Sequence, residues 1–210
     1  MPTTMLHEPK KTPRQRVVKK KPPRPHIEAL VYEKINGIPI YYHEAQAMSS
    51  SQKQAEEIMG SSFLQALLIS RILRFLIAHL PAGCEVLTNE VGLQLQKGNW
   101  CAADIAIYAD ARLEQIPLHN KYLNLPPNVV IEIDTKAEPA QFLTMMDYCY
   151  TKTDALLDFG VEKIVWIFTD ARKVMIAEPH KDWITRNWDQ DIPVFENIAL
   201  NLTALLSEKR

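Results

Sequence analysis

The stretch NVVIEIDTK, residues 128–136, decides the fold prediction for this chain. Most of its residues are β-branched, and an apolar run of this kind is typical of a buried strand. Glu132 and Asp134 lie within it, on one face of the predicted strand and roughly 6.6 Å apart along it. Two buried carboxylates cost several kcal/mol of stability unless a cation or a proton compensates them. The alternative is an edge strand whose acids are solvated.

The composition is that of a globular protein with one domain and a tail. The chain has 210 residues, of which 47% are hydrophobic, and a formal net charge of −1, so it can bury a substantial core. Its three cysteines are odd in number and lack metal-ligand spacing, which favours a reducing compartment. No apolar run is long enough to span a membrane, and no apolar leader is present. We therefore expect a cytoplasmic protein without membrane contact.

Residues 1–26 differ sharply from the rest of the chain. They carry eight basic residues and six prolines against one acid, which leaves 16 basic and 24 acidic residues for residues 27–210. This composition predicts a disordered basic arm that gathers nucleic-acid phosphates. A solubilising leader, or an arm that folds back on the acidic domain, is the alternative. The candidate contacts are Lys10, Lys11, Arg14, Arg16, Lys19, Lys20, Lys21 and Arg24.

Turn signals and hydrophobic periodicity predict the other elements. Asn36-Gly37 is a hairpin signal between two short strands, and Gly160 is expected to end a helix. The further predicted elements are strands at residues 85–96 (with a bulge at Gly92), 103–108, 162–168, 172–177, 183–188 and 193–195, and helices at residues 61–80, 141–159 and 200–207.

Lys152 projects from the apolar face of the second long helix. Lysines are almost never fully buried without a partner, although the side chain can also extend along its stem to solvent. The helix follows the strand that bears Glu132 and Asp134. A buried ammonium beside those carboxylates would therefore explain both anomalies at once.

Asp104, near the start of the predicted strand at residues 103–108, completes a candidate site with Glu132 and Lys152. Hard cations such as Mg²⁺ take oxygen ligands, and one or two carboxylates plus substrate phosphates suffice. A lysine nearby can orient or deprotonate an attacking water. These groups are what phosphodiester hydrolysis needs, although a structural ion-pair network fits the same spacing.

At these residues the sequence resembles a large bacterial family of restriction-endonuclease-like proteins with the PD-(D/E)XK nuclease fold, long described as a domain of unknown function. The resemblance covers about residues 32–205. Ala103-Asp104 corresponds to the family's Pro-Asp, with alanine in place of proline, and residues 130–133 match its Glu-containing strand. Lys152 precedes a Gly-Val pair and a strand with tryptophan, which matches the lysine that this family carries on a helix.

The resemblance implies an α/β fold over residues 27–210: a mixed sheet flanked by helices, with an N-terminal β-hairpin and C-terminal β additions. It implies Asp104 and Glu132 as ligands of Mg²⁺ or Mn²⁺, and Lys152 as the residue that assists the water. The expected activity is that of an endonuclease that hydrolyses DNA. The alternative is a nuclease-fold module that binds nucleic acid or oligomerises without turnover. A homodimer is an open expectation, because restriction enzymes often dimerise to cut two strands.

Four residues are secondary candidates. Asp134 occupies the position at which the superfamily usually has lysine, and with Lys136 it imitates a D-x-K motif. Lys136 therefore competes with Lys152 as the catalytic lysine. Gln65, in the apolar stripe of the first long helix, replaces a histidine expected there or bonds to neighbouring backbone. Glu90 is a further acid of the site or a surface glutamate.

Overall fold

The computed structural model describes residues 30–42, 62–114, 116–134, 137–138 and 142–207. Over these ranges the chain forms a nine-stranded sheet, a small two-stranded ribbon and four helices. The sheet contains β1 (Val31–Ile35), β2 (Ile38–Tyr42), β3 (Cys84–Gln96), β4 (Asn99–Ala109), β5 (Val129–Ile133), β6 (Ala137–Glu138), β7 (Lys163–Phe168), β8 (Lys173–Ala177) and β9 (Ile184–Asn187). The ribbon and the helices are β10 (Ile192–Phe195), β11 (Ile198–Leu200), α1 (Phe63–His79), α2 (Asp110–Leu113), α3 (Met145–Phe159) and α4 (Leu202–Ser207).

The predicted mixed sheet flanked by helices is confirmed. Its order is β6-β2-β1-β4-β5-β7-β8-β9, and β3 pairs with β4 as well. Among the described strands, β5 and β7 pair in parallel, with Glu132 beside Trp166, and the other ladders are antiparallel. A parallel pair needs a long crossover connection, which here contains α3. Successive residues of β5 therefore face opposite helices: Ile131 packs in the core under α1, and Val130 packs in the core under α3.

The sheet forks on one edge of β4. β3 pairs with β4 along nearly its whole length. Two strands share the opposite edge of β4. β1 pairs with β4 at Trp100, and β5 pairs with β4 at residues 105–107. Between these two contacts, at residues 101–104, neither β1 nor β5 continues the ladder. Backbone groups at the fork consequently need hydrogen-bond partners other than a neighbouring strand.

β4 also changes face at the fork. Cys101 and Ala103 belong to the core under α3, whereas Ile105 and Ile107 belong to the core under α1. In a regular strand these odd-numbered residues would share a face. The strand is therefore irregular at Asp104, and irregularities of this kind re-aim a side chain.

Most predicted elements are present, with bounds that differ by a few residues. The hairpin turn at Asn36-Gly37 is confirmed, with φ values of 50° and 81°, as a type I′ turn requires. Gly160 ends α3 with a left-handed φ of 110°. The predicted arm at residues 1–26 lies outside the described residues, so the division into arm and domain stays a prediction.

The predicted bulge at Gly92 is wrong. The register of β3 shifts instead at Asn89 and Glu90, which have φ values of 74° and 56°. Gly92 has a different role, because a Cβ there would lie 2.3 Å from the Tyr122 ring. The glycine thus allows the loop before β5 to pack closely on β3.

Candidate active site

Lys152 is buried, as the apolar face of its helix predicts. Thr144 caps the start of α3 by accepting a hydrogen bond from the Asp147 amide, and Gly160 ends the helix. Between these caps the helix packs Cys149 and Leu156 against the sheet. Lys152 lies on the same face with 1% of its side chain exposed, so its ammonium must be compensated inside the protein.

Three acceptors surround the Lys152 ammonium. Nζ lies 2.6 Å from Glu33 Oε1 and 3.1 Å from Glu132 Oε1, and it donates a 2.8 Å hydrogen bond to the carbonyl of Ala102. It also lies 5.7 Å from the centre of the Trp166 ring, within cation–π range. Burial by itself would lower the pKa of Lys152, but Glu132 and Glu33 outweigh that effect and raise it well above its ordinary value. The side chain is therefore an ammonium at any physiological pH.

Glu33 is the partner that the sequence analysis missed. Its Oε1 accepts hydrogen bonds from Lys152 Nζ and, at 3.1 Å, from the Ala102 amide. Its Oε2 accepts a 2.7 Å hydrogen bond from the Tyr148 hydroxyl. A signal was present in the sequence: Glu33 stands two residues before the fully buried Ile35 and so falls on the apolar face of its strand. That is the same anomaly that drew attention to Glu132.

The Glu33–Lys152 pair completes the sheet at its fork. The amide of Ala102 is bonded to Glu33 and its carbonyl to Lys152, so both backbone groups are satisfied by side chains instead of by a strand. Without these two side chains, a buried amide and a buried carbonyl of β4 would lose their partners, at about 1–3 kcal/mol each. The Glu33–Lys152 pair therefore stabilises the sheet at the fork, independently of any role in catalysis.

Glu132 is also buried, on β5, but its environment differs from that of Glu33. Desolvation raises its pKa to about 8, against the attraction of Lys152 and with help from Asp104 and Glu33. The 3.1 Å separation from Lys152 Nζ is that of an ion pair. Among the described residues, however, Glu132 Oε1 has no hydrogen bond of acceptable geometry. A carboxylate held in this way favours a proton or a cation.

Asp104 lies next to Glu132 on the adjacent strand. β4 and β5 pair Ile105 with Ile131, and continuing that register by one residue places Asp104 opposite Glu132. Asp104 Oδ2 accepts a 2.8 Å hydrogen bond from the Ile133 amide, which fixes its carboxylate at the point where β4 is irregular. The charge of Asp104 helps to raise the pKa of Glu132, so the two acids share one electrostatic environment.

Asp134 lies beyond the end of β5, so the part of the sequence interpretation that placed it within the strand is wrong. β5 ends at Ile133, and Asp134 leaves the strand with a left-handed φ of 53°. Its two carboxylate oxygens accept hydrogen bonds from the amide of Thr169, at 2.8 Å, and from its hydroxyl, at 2.6 Å. Asp134 therefore anchors the turn after β7. The strand is shorter than the apolar run that predicted it, so Asp134 follows β5 and does not belong to it.

The remaining candidates divide between the site and its surroundings. Gln65 is buried on α1 and donates a 2.8 Å hydrogen bond to the carbonyl of Ile133, next to Glu132. This contact matches the backbone-bonding alternative. Glu90 lies at the bulge of β3, and its charge adds to burial, the main cause, in raising the pKa of Tyr42. Lys136 and the eight basic residues of the arm lie outside the described residues.

The charge balance of the cluster favours a cation. Glu33 and Glu132 lie within 3.1 Å of the Lys152 ammonium, and the charge of Asp104 acts on Glu132. No group of three or more His, Cys, Asp or Glu side chains within the described ranges is arranged to hold a metal ion. Asp104 and Glu132 form a smaller set, and an Mg²⁺ site with two carboxylates completes its shell with water and phosphate oxygens. The chemistry of this donor pair, together with the oxygen of Glu132 that lacks a hydrogen bond, fits a hard divalent cation.

None of the helices formed by the described residues has the length and hydropathy that a membrane span requires. The three cysteines are free thiols, and Cys101 and Cys149 are buried near the cluster. Burial raises the pKa of both thiols above the ordinary value, so both are protonated and unreactive at neutral pH.

Comparison with known proteins identifies a similar fold. No family model and no curated protein matches the chain. Among solved structures, the chain is similar to "a putative nuclease belonging to DUF820" from Anabaena variabilis ATCC 29413. The TM-score is 0.57 over 83% of this chain and 89% of that chain, at 19% sequence identity. The predicted resemblance is thereby confirmed at the level of the fold, and this chain has a nuclease-like mixed α/β fold.

Proposed function

We propose that this protein is a metal-dependent endonuclease that hydrolyses phosphodiester bonds of DNA. One observation carries the proposal: a buried Glu132 with a raised pKa and an oxygen that lacks a hydrogen bond lies beside Asp104 and a permanent ammonium. A perturbed carboxylate of this kind is more typical of a functional site than of a structural one. The nuclease-like fold of the chain supports the same function.

Asp104 and Glu132 would hold Mg²⁺ or Mn²⁺ between β4 and β5. The cation, when bound, supplies charge stabilisation at the scissile phosphate and makes its bound water more acidic. The residues of the chain provide the rest. The Ile133 amide holds the Asp104 carboxylate at 2.8 Å, and the rigid register of β4 on β5 fixes its distance from Glu132.

Lys152 acts as a proton-bearing cation in this proposal and not as a base. Its pKa is raised by the neighbouring acids, so it cannot accept a proton from water at neutral pH. An ammonium at this position can orient the attacking water and stabilise negative charge that develops on phosphate oxygens. Glu33 and Ala102 fix its direction, at 2.6 and 2.8 Å.

The basic arm supplies the attraction to DNA in this proposal. Residues 27–210 carry an excess of eight acidic residues, which repels a polyanion. The eight basic residues of the arm compensate that repulsion, and contacts with phosphates are salt-dependent and independent of sequence. Binding to DNA should therefore weaken steeply as the salt concentration rises.

Nicking of supercoiled plasmid in Mg²⁺ or Mn²⁺ tests the function. We expect nicking by the wild type that chelation abolishes. Glu132→Gln and Asp104→Asn, which conserve side-chain shape, should each lower the rate by about a hundredfold or more. Glu85→Gln, which changes an exposed acid on β3, is the matched control and should nick at the wild-type rate. Calorimetry should show Mg²⁺ or Mn²⁺ binding that Glu132→Gln loses and Glu85→Gln keeps.

A non-catalytic module is the second candidate, and the closure of the site favours it. The ammonium of Lys152 already has three acceptors, and only 8% of Asp104 and 2% of Glu132 are exposed. Under this alternative the cluster serves the architecture alone. DNA binding that is indifferent to metal, without nicking and without metal binding in the calorimeter, would establish the module and contradict the enzyme.

A further inference from the structure

A cavity of about 740 Å³ lies between the start of α3 and strands β7 and β8. Its volume is within the range of ordinary small-molecule sites. Methionine and aromatic side chains contribute six of its fourteen lining residues: Met145, Met146, Met175, Tyr150, Trp166 and Phe168. None of the interactions described for the ion-pair cluster uses this space.

A stacked pair of aromatic rings borders the cavity. Trp166 and Phe168 are nearly parallel, with 5° between their planes and 6.2 Å between their centres. Trp166 is fixed by a 2.8 Å hydrogen bond from its indole nitrogen to Thr153 and is fully buried. Phe168 is only partly buried and therefore presents ring surface to the cavity. Adaptable methionine side chains complete a wall suited to flat, polarisable groups.

The cavity adjoins the candidate active site through Trp166. This residue pairs with Glu132 across β5 and β7, and its ring lies 5.7 Å from Lys152 Nζ. Asp134, two residues after Glu132, also lines the cavity. Trp166 therefore lies between the cavity and the neighbouring strand that carries Glu132.

The rim of the cavity favours a neutral occupant. Lys173 and Asp170 both line it and are exposed, and their charges oppose each other. The carboxylate of Asp134 is already bonded to Thr169. The described residues that line the cavity carry no excess of positive charge to hold a phosphate, whereas a flat neutral ring can use its apolar walls.

We propose that this cavity binds the nucleobase of an unpaired nucleotide adjacent to the scissile phosphate. The inference rests on the proposed function, whose site it extends from the phosphate to the base. Stacking on an aromatic side chain is available to every base and contributes without sequence readout. Because a base in a duplex is already stacked and paired, it must leave the helix to enter the cavity. Single-stranded or unpaired DNA is consequently the favoured substrate.

Binding of two oligomers of equal charge tests the proposal. The full-length Glu132→Gln protein, in EDTA, is titrated into labelled heptathymidylate and into a heptamer of abasic sites, and anisotropy is measured. We expect the thymidylate to bind about tenfold more tightly or better, because both oligomers offer phosphates to the basic arm but only one offers bases. Adding Phe168→Ala should remove most of this difference.

A control and a second variant protect the test from folding effects. Phe75→Ala removes another half-buried phenylalanine, from the opposite side of the sheet on α1, and should leave the difference intact. Phe168→Leu keeps the apolar volume but loses the ring, and should behave like Phe168→Ala. Equal affinity for the two oligomers overturns the proposal, as does the absence of binding to either, or a difference that survives both Phe168 variants.

Failure of this inference is distinguishable from failure of the proposed function. Metal-dependent nicking by the wild type, with equal binding of the two oligomers, overturns the base site and leaves the enzyme standing. Base-dependent binding that requires Phe168, without nicking, supports the base site and assigns it to a binding module.

Discussion

Glu33 and Glu132 approach the same ammonium, but the protein treats them differently. Glu33 comes from the N-terminal hairpin and accepts hydrogen bonds from Lys152, Ala102 and Tyr148. Glu132 comes from the central strand, and among the described residues its Oε1 has the attraction of Lys152 without a hydrogen bond. Both side chains are essentially buried.

The difference assigns an architectural role to Glu33 and agrees with the functional role proposed for Glu132. Three hydrogen bonds compensate the burial of Glu33, and its carboxylate supports the sheet where β1 leaves β4. The burial of Glu132 is compensated only in part, as its raised pKa shows. A protein that retains an imperfectly compensated charge is less stable than it could be. Such a group is therefore expected where chemistry or binding requires it.

Removing the shared ammonium should have the largest effect on stability. Lys152→Met leaves Glu33 and Glu132 as buried acids without a cation and the carbonyl of Ala102 without a donor. Loss of one partner of a buried pair typically costs about 3–5 kcal/mol. We expect a decrease of this size in the free energy of unfolding, measured with urea at pH 7. The matched control is Lys181→Met, because Lys181 is exposed and pairs with Glu178 at the surface, where a change of at most about 1 kcal/mol is expected.

The pH dependence of stability should isolate Glu132. Its pKa is about 8 in the folded chain, well above the ordinary value for glutamate, so between these two values the folded state holds a proton that the unfolded state has released. The bound proton therefore stabilises the folded state fully at low pH. This contribution to the free energy of unfolding, on the order of 3 kcal/mol, is lost as the pH rises towards 8. Urea titrations in EDTA from pH 5 to 8.5 should show this decrease. Glu132→Gln should flatten it, and an unchanged slope in that variant would contradict the assignment.

Exchanging each acid for its amide should give the smallest but most direct contrast. Glu33→Gln removes a charge that three donors stabilise, and we expect a loss of about 2 kcal/mol. Glu132, with a pKa of about 8, is mostly protonated in metal-free buffer at pH 7, so Glu132→Gln exchanges one neutral group for another and the change should stay within about 1 kcal/mol. Thermal and urea unfolding of the two variants measure the contrast. Equal losses would show that the two acids are equivalent.

The sequence predicted that Lys152 and Glu132 meet, but not the full set of partners around the ammonium. The acids of the central strand and the lysine on the apolar face of a helix were both recognisable as anomalies of burial, and Lys152 and Glu132 do meet. Glu33 was not predicted as a site residue. The hairpin was predicted from the turn at Asn36-Gly37, and the position of Glu33 on the apolar face of the strand was not used. Its partners are 69 to 119 residues away in the chain, and no local pattern encodes such distances.

Elements with strong local signals were predicted well, and features set by tertiary contact were not. α1 and α3 follow from periodicity and from the residues that end them. The end of β5 at Ile133 could not be derived, because Asp134 turns away to bond with Thr169 on a distant turn. The role of Gly92 likewise depends on a ring that arrives from a loop 30 residues later.

The fork in the sheet has a consequence for descendants of this protein. At that position Glu33 and Lys152 substitute for hydrogen bonds that a strand would otherwise make to Ala102. Under the proposed function, a lineage that loses hydrolysis still needs these two side chains to keep its sheet intact, whereas Glu132 is free to vary. Among relatives, variation at position 132 beside a constant Glu33–Lys152 pair would then mark the chains that have lost the proposed cleavage.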